Sequence, residues 1–164
     1  MLQKINATRK GLLTGLLMAG LLLFFYYGLK YPLNGKEQYV IYSIYLAGII
    51  WSLFAFMQAK GENKTFKEYF STGFKTFIVA TLLMVVFTFI FFSFDTSYRE
   101  SGIAENNKLL LQEGNHTPAE IESNAQQLRK IFMPMMLGIT TFKYLVLGAL
   151  VTAVGAGFLS QRKQ

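Results

Sequence analysis

Between Lys75 and Asp95 the chain carries no charged side chain for 19 residues, Thr76 to Phe94, and this run limits the possible folds more than any other feature. A helix of that length rises about 28 Å, close to the roughly 30 Å hydrocarbon thickness of a bilayer. Just before it stands Thr65-Phe66-Lys67-Glu68. This is a capping-box pattern, in which the threonine hydroxyl accepts from the Glu68 N–H while the Glu68 carboxylate reaches back to the Thr65 N–H. Phe66, Tyr69, Phe70, Gly73, Phe74 and Phe77 then recur at spacings of three and four, giving the first turns an aromatic face suited to a membrane surface. The pattern predicts one long helix with an amphipathic interfacial lead-in that continues as a crossing.

Three other segments repeat the signal. Gly11–Leu29 and Tyr39–Met57 are each 19 residues without a charge, and Gly138–Leu159 holds a single one, Lys143. The expected fold is an all-α, four-helix transmembrane bundle in a single membrane domain over residues 1–164. Its spans lie at about 11–29, 39–57, 76–94 and 138–159, with an external loop at 95–130. Pro32, Asn34 and Gly35 mark the turn after the first span, and Gln58 to Asn63, with Gly61, the turn before the third. The basic start followed by an apolar run has the outline of a signal peptide. Its length and the sequence Tyr26-Tyr27-Gly28-Leu29-Lys30-Tyr31-Pro32, which lacks a small-residue cleavage site, favour a retained span instead.

Charge assigns the sides. Only 15% of residues are charged, against about 25% in soluble domains. The net charge of +7 comes from Lys and Arg gathered at the ends of apolar runs. There they set orientation and meet anionic headgroups, which removes the reason to expect nucleic acid as a partner. Lys4, Arg9, Lys10, Lys60, Lys64, Lys67, Lys75, Arg162 and Lys163 fall on one side in short segments. The other side carries seven of the nine acids, Glu37 and six in the long loop. The expectation is a multi-pass protein of the bacterial inner membrane with both termini cytoplasmic.

Within the external loop, Thr117-Pro118-Ala119-Glu120 repeats the capping pattern, and Ile121, Ala125, Leu128 and Phe132 step by four, three and four into an amphipathic helix. Ser101 to Gln112 reads as a shorter helix weakened by Gly102 and Asn106-Asn107. Pro134 is expected to mark a joint between the external helix and the last crossing.

Few residues point to chemistry. Lys143 is the one ionisable group inside a span, which makes it a candidate pathway residue. Its position about five residues from the span's start also lets its stem snorkel to the interface. Small residues recur at helical spacing as Gly11 and Gly15 in the first span and as Gly148, Ala149, Ala153 and Gly157 in the last. Such faces allow close backbone approach, here expected between the first and last spans, with homo-oligomerisation or a membrane-protein partner as the alternative. His116, the sole histidine, reads as a solvated loop residue. Without a cysteine the chain offers no thiolate ligand or cysteine nucleophile, and no metal or cofactor is expected. Gly11-Leu12-Leu13-Thr14-Gly15 lacks the Lys-Ser/Thr that phosphate loops require. The hydroxyls of Thr14, Ser43, Ser52, Thr81, Thr88, Thr140, Thr141 and Thr152 are expected to satisfy themselves on backbone carbonyls.

Five features together make the chain resemble a family of small bacterial four-span membrane proteins known as a domain of unknown function. They are the basic residues before Gly11, Tyr31-Pro32, the run Thr65-Phe66-Lys67-Glu68-Tyr69-Phe70-Ser71-Thr72-Gly73-Phe74-Lys75, the loop with its helix, and the Gly/Ala-rich last span. The resemblance implies an architecture and no catalytic residue. The functional expectation is a non-enzymatic accessory or interaction subunit in the lipid bilayer, the alternative being a small transporter or channel subunit with Lys143 at its path.

Overall fold

The computed structural model describes residues 6–31, 35–59 and 64–161. They form five α-helices and no strand: α1 (Ala7–Leu23), continued by a π-helical turn over Phe24–Gly28, α2 (Glu37–Gln58), α3 (Phe66–Phe94), α4 (Ser97–Glu113) and α5 (Pro118–Gln161). Four of these, α1 with its π turn, α2, α3 and α5, are long and apolar enough to cross a membrane. The all-α bundle expected from the charge-free runs is therefore present, and the protein is a multi-pass membrane protein. The turns predicted at residues 32–34 and 60–63 lie outside the described residues.

Helix ends follow local chemistry. The Asn6 side chain accepts from the Arg9 N–H at 2.9 Å and starts α1 four residues earlier than the charge-free run does, so Arg9 and Lys10 are helical rather than flanking. At the other end Lys30 takes a left-handed φ of 56°, and the Tyr31 N–H closes onto the Phe25 carbonyl at 3.0 Å. Lys64 donates to the carbonyls of Phe56, Met57 and Ala59 at the end of α2, placing a cation on the negative end of that helix. The two capping patterns differ. Thr117 and Glu120 make the full box, with Thr117 N–H on the Glu120 carboxylate at 2.7 Å and Glu120 N–H on the Thr117 hydroxyl at 3.3 Å. At α3 the Glu68 carboxylate receives both the N–H and the hydroxyl of Thr65, so this hydroxyl donates rather than accepts.

Two expectations about helix extent are corrected. Pro134 does not mark a joint: α5 runs unbroken for 44 residues through it. The carbonyl it frees is that of Lys130, an exposed residue at the polar end of the helix, so it needs no protein donor and the helix can continue. The weak helix at Ser101–Gln112 is a full helix from Ser97 to Glu113. It tolerates Gly102 and ends where Gly114 takes the left-handed φ of 70° that glycine allows.

The contacts group the chain into two compact units. The first comprises α1, α2, α3 up to Val85 and α5 from Thr141. Its interior is lined at helical spacing by Thr14 and Met18, by Tyr45, Gly48, Ser52 and Ala55, by Tyr69, Gly73, Thr76, Ala80 and Met84, and by Gly148, Thr152 and Ala156. Small and hydroxyl side chains bring the backbones together, and Leu12, Leu16, Phe54, Leu82, Leu150 and Val154 face outward. The aromatic face at the start of α3 divides. Tyr69 is buried with its ring edge-on to Phe56 at 5.3 Å, while Phe66, Phe70 and Phe74 stack on one another toward the outside.

The second unit comprises Val86–Thr140. Phe92 is central to it, edge-on to Phe132 at 5.1 Å and to Phe91 at 5.2 Å, with Ile103, Ile121 and Ala125 buried as well. Arg99 donates to Glu100 at 2.8 Å and Arg129 donates to the other carboxylate oxygen at 3.2 Å, joining α4 to α5. The Arg99 hydrogen bond, supported by Arg129, holds the Glu100 carboxyl below its ordinary range. Because the folded value is the lower one, the contribution is complete above the ordinary carboxylate range and is lost as pH falls through the folded value. Amides of α4 are therefore expected to exchange faster in acid, beyond the intrinsic rate change. Glu100→Gln should remove that pH dependence, and identical profiles for the two proteins would refute the linkage.

Candidate functional site

At the amino-terminal end of α1 the first unit encloses an open cavity of about 340 Å³, lined by Asn6, Ala7, Thr8 and Lys10 from α1, by residues of the last two turns of α2, and by Thr72 and Lys75 of α3. Lys10 is 4% exposed. A buried ammonium ordinarily has a carboxylate or several carbonyl oxygens around it. Among the described residues the Lys10 side chain has neither, and its Nζ lies 5.4 Å from the centre of the Trp51 ring. A cation over an indole gains about 0.5–2 kcal/mol, and that contact leaves the N–H donors of the ammonium unpaired. Beneath the cavity, Thr76 donates or accepts at 2.7 Å with Ser52 and lies 3.2 Å from the Ala7 carbonyl.

Near the middle of α2 a second polar group is sealed. Tyr45, fully buried, donates to the Tyr144 carbonyl at 2.8 Å and shares a 3.1 Å hydrogen bond with the Thr81 hydroxyl. Ile49, between Tyr45 and Ser52 on α2, is 1% exposed, and Met18, Leu53 and Met84 nearby in the interior are 2% exposed or less. At the opposite end of α2 lies another open cavity, of about 450 Å³, formed by Gly35, Lys36, Gln38, Tyr39, Tyr42 and Lys143. Lys143 is exposed there, consistent with a side chain that extends away from the bundle rather than into it.

The small residues singled out by spacing find partners other than the expected ones. A Cβ on Gly11 would strike the Thr76 carbonyl, and one on Gly15 would lie 3.1 Å from Leu83 Cβ and 3.4 Å from Ala80 Cα. Both glycines therefore face α3 and not the last span. The reason lies across the contact, where Thr76 and Ala80 supply a matching small row. Gly148 faces Tyr45 and Phe77, and Thr152 lies against Gly73, so α5 meets α2 and α3. Ala149 and Ala153 are half-exposed, and a Cβ on Gly157 would meet nothing within 4 Å. The hydroxyl expectation holds for Thr14, on the Lys10 carbonyl at 2.8 Å, and for Ser43, on the Tyr39 carbonyl at 2.8 Å. It fails for Thr152, whose buried hydroxyl has no partner among the described residues. His116 sits 3.2 Å from Glu113 on the surface, and among the described residues no three His, Asp or Glu side chains converge.

Lys10 and Tyr45 were not legible as special. The signal for Lys10 was Asn6: taken as the cap, it puts Lys10 on one stripe with Thr14 and Met18, the stripe that turns inward.

Comparison with curated proteins and with solved structures finds no match for the chain. The family model described as "Protein of unknown function (DUF4199)" matches residues 9–161, nearly the whole chain, and the protein belongs to that family.

Proposed function

We propose that the protein is a non-enzymatic integral protein of the bacterial inner membrane, with both termini cytoplasmic, that works as an accessory or interaction subunit. The observation that carries the reading is the outer face of the crossing part of α5. Phe142, Val146, Leu150, Val154 and Phe158 form an exposed ridge, beside which Ala149, Ala153 and Gly157 form a shallow half-exposed row. Ridge beside groove is the relief that a second membrane helix fits, since association in lipid depends on close packing. The sealed middle of the first unit favours this reading over the transport alternative. A path from the Lys143 cavity would have to pass Tyr45 and then Ile49 and Leu53, none more than 2% exposed.

Ala149→Leu and Ala153→Leu add bulk in the groove at positions outside the buried row of Gly148, Thr152 and Ala156. Each is expected to change the mass of the detergent-solubilised particle or to remove a co-purifying membrane protein. An unchanged particle in both variants would sink the proposal. Lys143→Met is expected to leave yield and particle mass as they are, and loss of a solute flux in that variant alone would favour the transport reading instead.

A further inference from the structure

We propose that the cavity at the amino-terminal end of α1 is a binding site for a phosphate-class anion, held by Lys10, Lys75 and the backbone N–H groups of Ala7 and Thr8. Three observations converge. Lys10 lines the cavity while 4% exposed, and its side-chain ammonium has no hydrogen bond and no ion pair among the described residues. The Nζ lies 5.4 Å from the centre of the Trp51 ring, whose π face leaves the N–H donors of the ammonium unused. α1 also begins here. Asn6 takes the Arg9 N–H on its side chain and the Lys10 N–H on its carbonyl, which leaves the N–H groups of Ala7 and Thr8 without intrahelical acceptors at the positive end of a 17-residue helix. Finally, among the described residues no carboxylate lines the cavity, and Lys75 brings a second cation to it. Glu68, on the same helix as Lys75, is engaged by Thr65.

Donors from an ammonium on α1, an ammonium on α3 and a helix start call for an acceptor with several oxygens pointing in different directions. A tetrahedral phosphate has that shape, whereas a planar carboxylate presents its lone pairs in one plane. Its charge also pairs with the Lys10 ammonium, which no carboxylate among the described residues meets. The same chemistry has two sources: the headgroup of an anionic phospholipid at the membrane surface, or free phosphate from water.

Trp51 is the only tryptophan of the chain and lies against Lys10, so it reports occupancy directly. The full-length protein, delipidated in detergent, would be titrated with sodium phosphate against sodium chloride of equal ionic strength. A parallel titration uses short-chain phosphatidylglycerol against short-chain diacylglycerol. Saturable change of Trp51 emission with phosphatidylglycerol alone supports the site and assigns it to a lipid headgroup, and saturation with inorganic phosphate supports it and assigns it to a free anion. No saturation with either, or equal responses to the chloride and diacylglycerol controls, overturns it. Lys10→Gln should weaken binding by at least about tenfold, as loss of a charge-assisted donor does. Because that variant alters the reporter and sits in the interior, Lys75→Gln is read alongside it by native mass spectrometry of the bound adduct. This exposed substitution should weaken binding by about three- to tenfold, and unchanged affinity in the folded Lys75→Gln protein overturns the proposal.

Discussion

Gly148→Ala is expected to destabilise the first unit by about 1–3 kcal/mol, although alanine is ordinarily the better helix former by up to about 1 kcal/mol. The reason is local. A methyl group at this position would run into the Tyr45 hydroxyl and come within 2.7 Å of Phe77 Cγ and 2.8 Å of Phe77 Cβ. Tyr45 cannot yield without leaving the Tyr144 carbonyl, and Phe77 is itself only 3% exposed. Overpacking therefore outweighs propensity. Gly20→Ala is the control, since nothing lies within 4 Å of a Cβ there and the propensity gain should survive. Midpoints of unfolding in a denaturing detergent, followed by circular dichroism, would separate the two. Equal midpoints for Gly148→Ala and wild type would show that the close approach is looser than the geometry requires.

That glycine also illustrates where sequence reading succeeds and where it stops. Charge-free runs of 19 residues translate directly into α2, α3 and α1, because the length of a bilayer-crossing helix is fixed by a physical thickness. The Thr-x-x-Glu patterns at Thr65 and Thr117 likewise place the starts of α3 and α5 to the residue, since capping involves only neighbours along the chain. Partner choice is different. Gly11 and Gly15 announce that some backbone comes close, but whether it is α3 or α5 depends on which rows of small residues meet in three dimensions, and several rows qualify. Pro134 shows the same limit: local chemistry predicts a break, but the carbonyl it frees, at Lys130, is on an exposed residue, and α5 continues through it. Lys10 stays at the basic end of the first span, but the cap at Asn6 places it inside the helix and on its buried stripe, which charge counting alone does not reveal.

Tyr45 gives the second large effect, and its two substitutions separate packing from hydrogen bonding. Tyr45→Ala removes a fully buried ring that lies 5.0 Å from the Tyr144 ring, and is expected to cost about 3–5 kcal/mol, as for other large aromatic truncations. Tyr45→Phe keeps the ring and removes only the hydroxyl. The Tyr144 carbonyl retains its helical acceptor role toward residue 148, and Thr81 can turn back to the carbonyl one turn before it, so the loss should stay near 1 kcal/mol. The same hydroxyl is what a methyl on residue 148 would strike, so the two sites must be coupled. In the double variant Tyr45→Phe with Gly148→Ala, the combined loss is expected to fall short of the sum of the single losses by about 0.5–1 kcal/mol, a residual clash with Phe77 limiting the rescue. Strict additivity would mean that Gly148 is kept small by Phe77 alone, and that the Tyr45 hydroxyl contributes only its own hydrogen bonds.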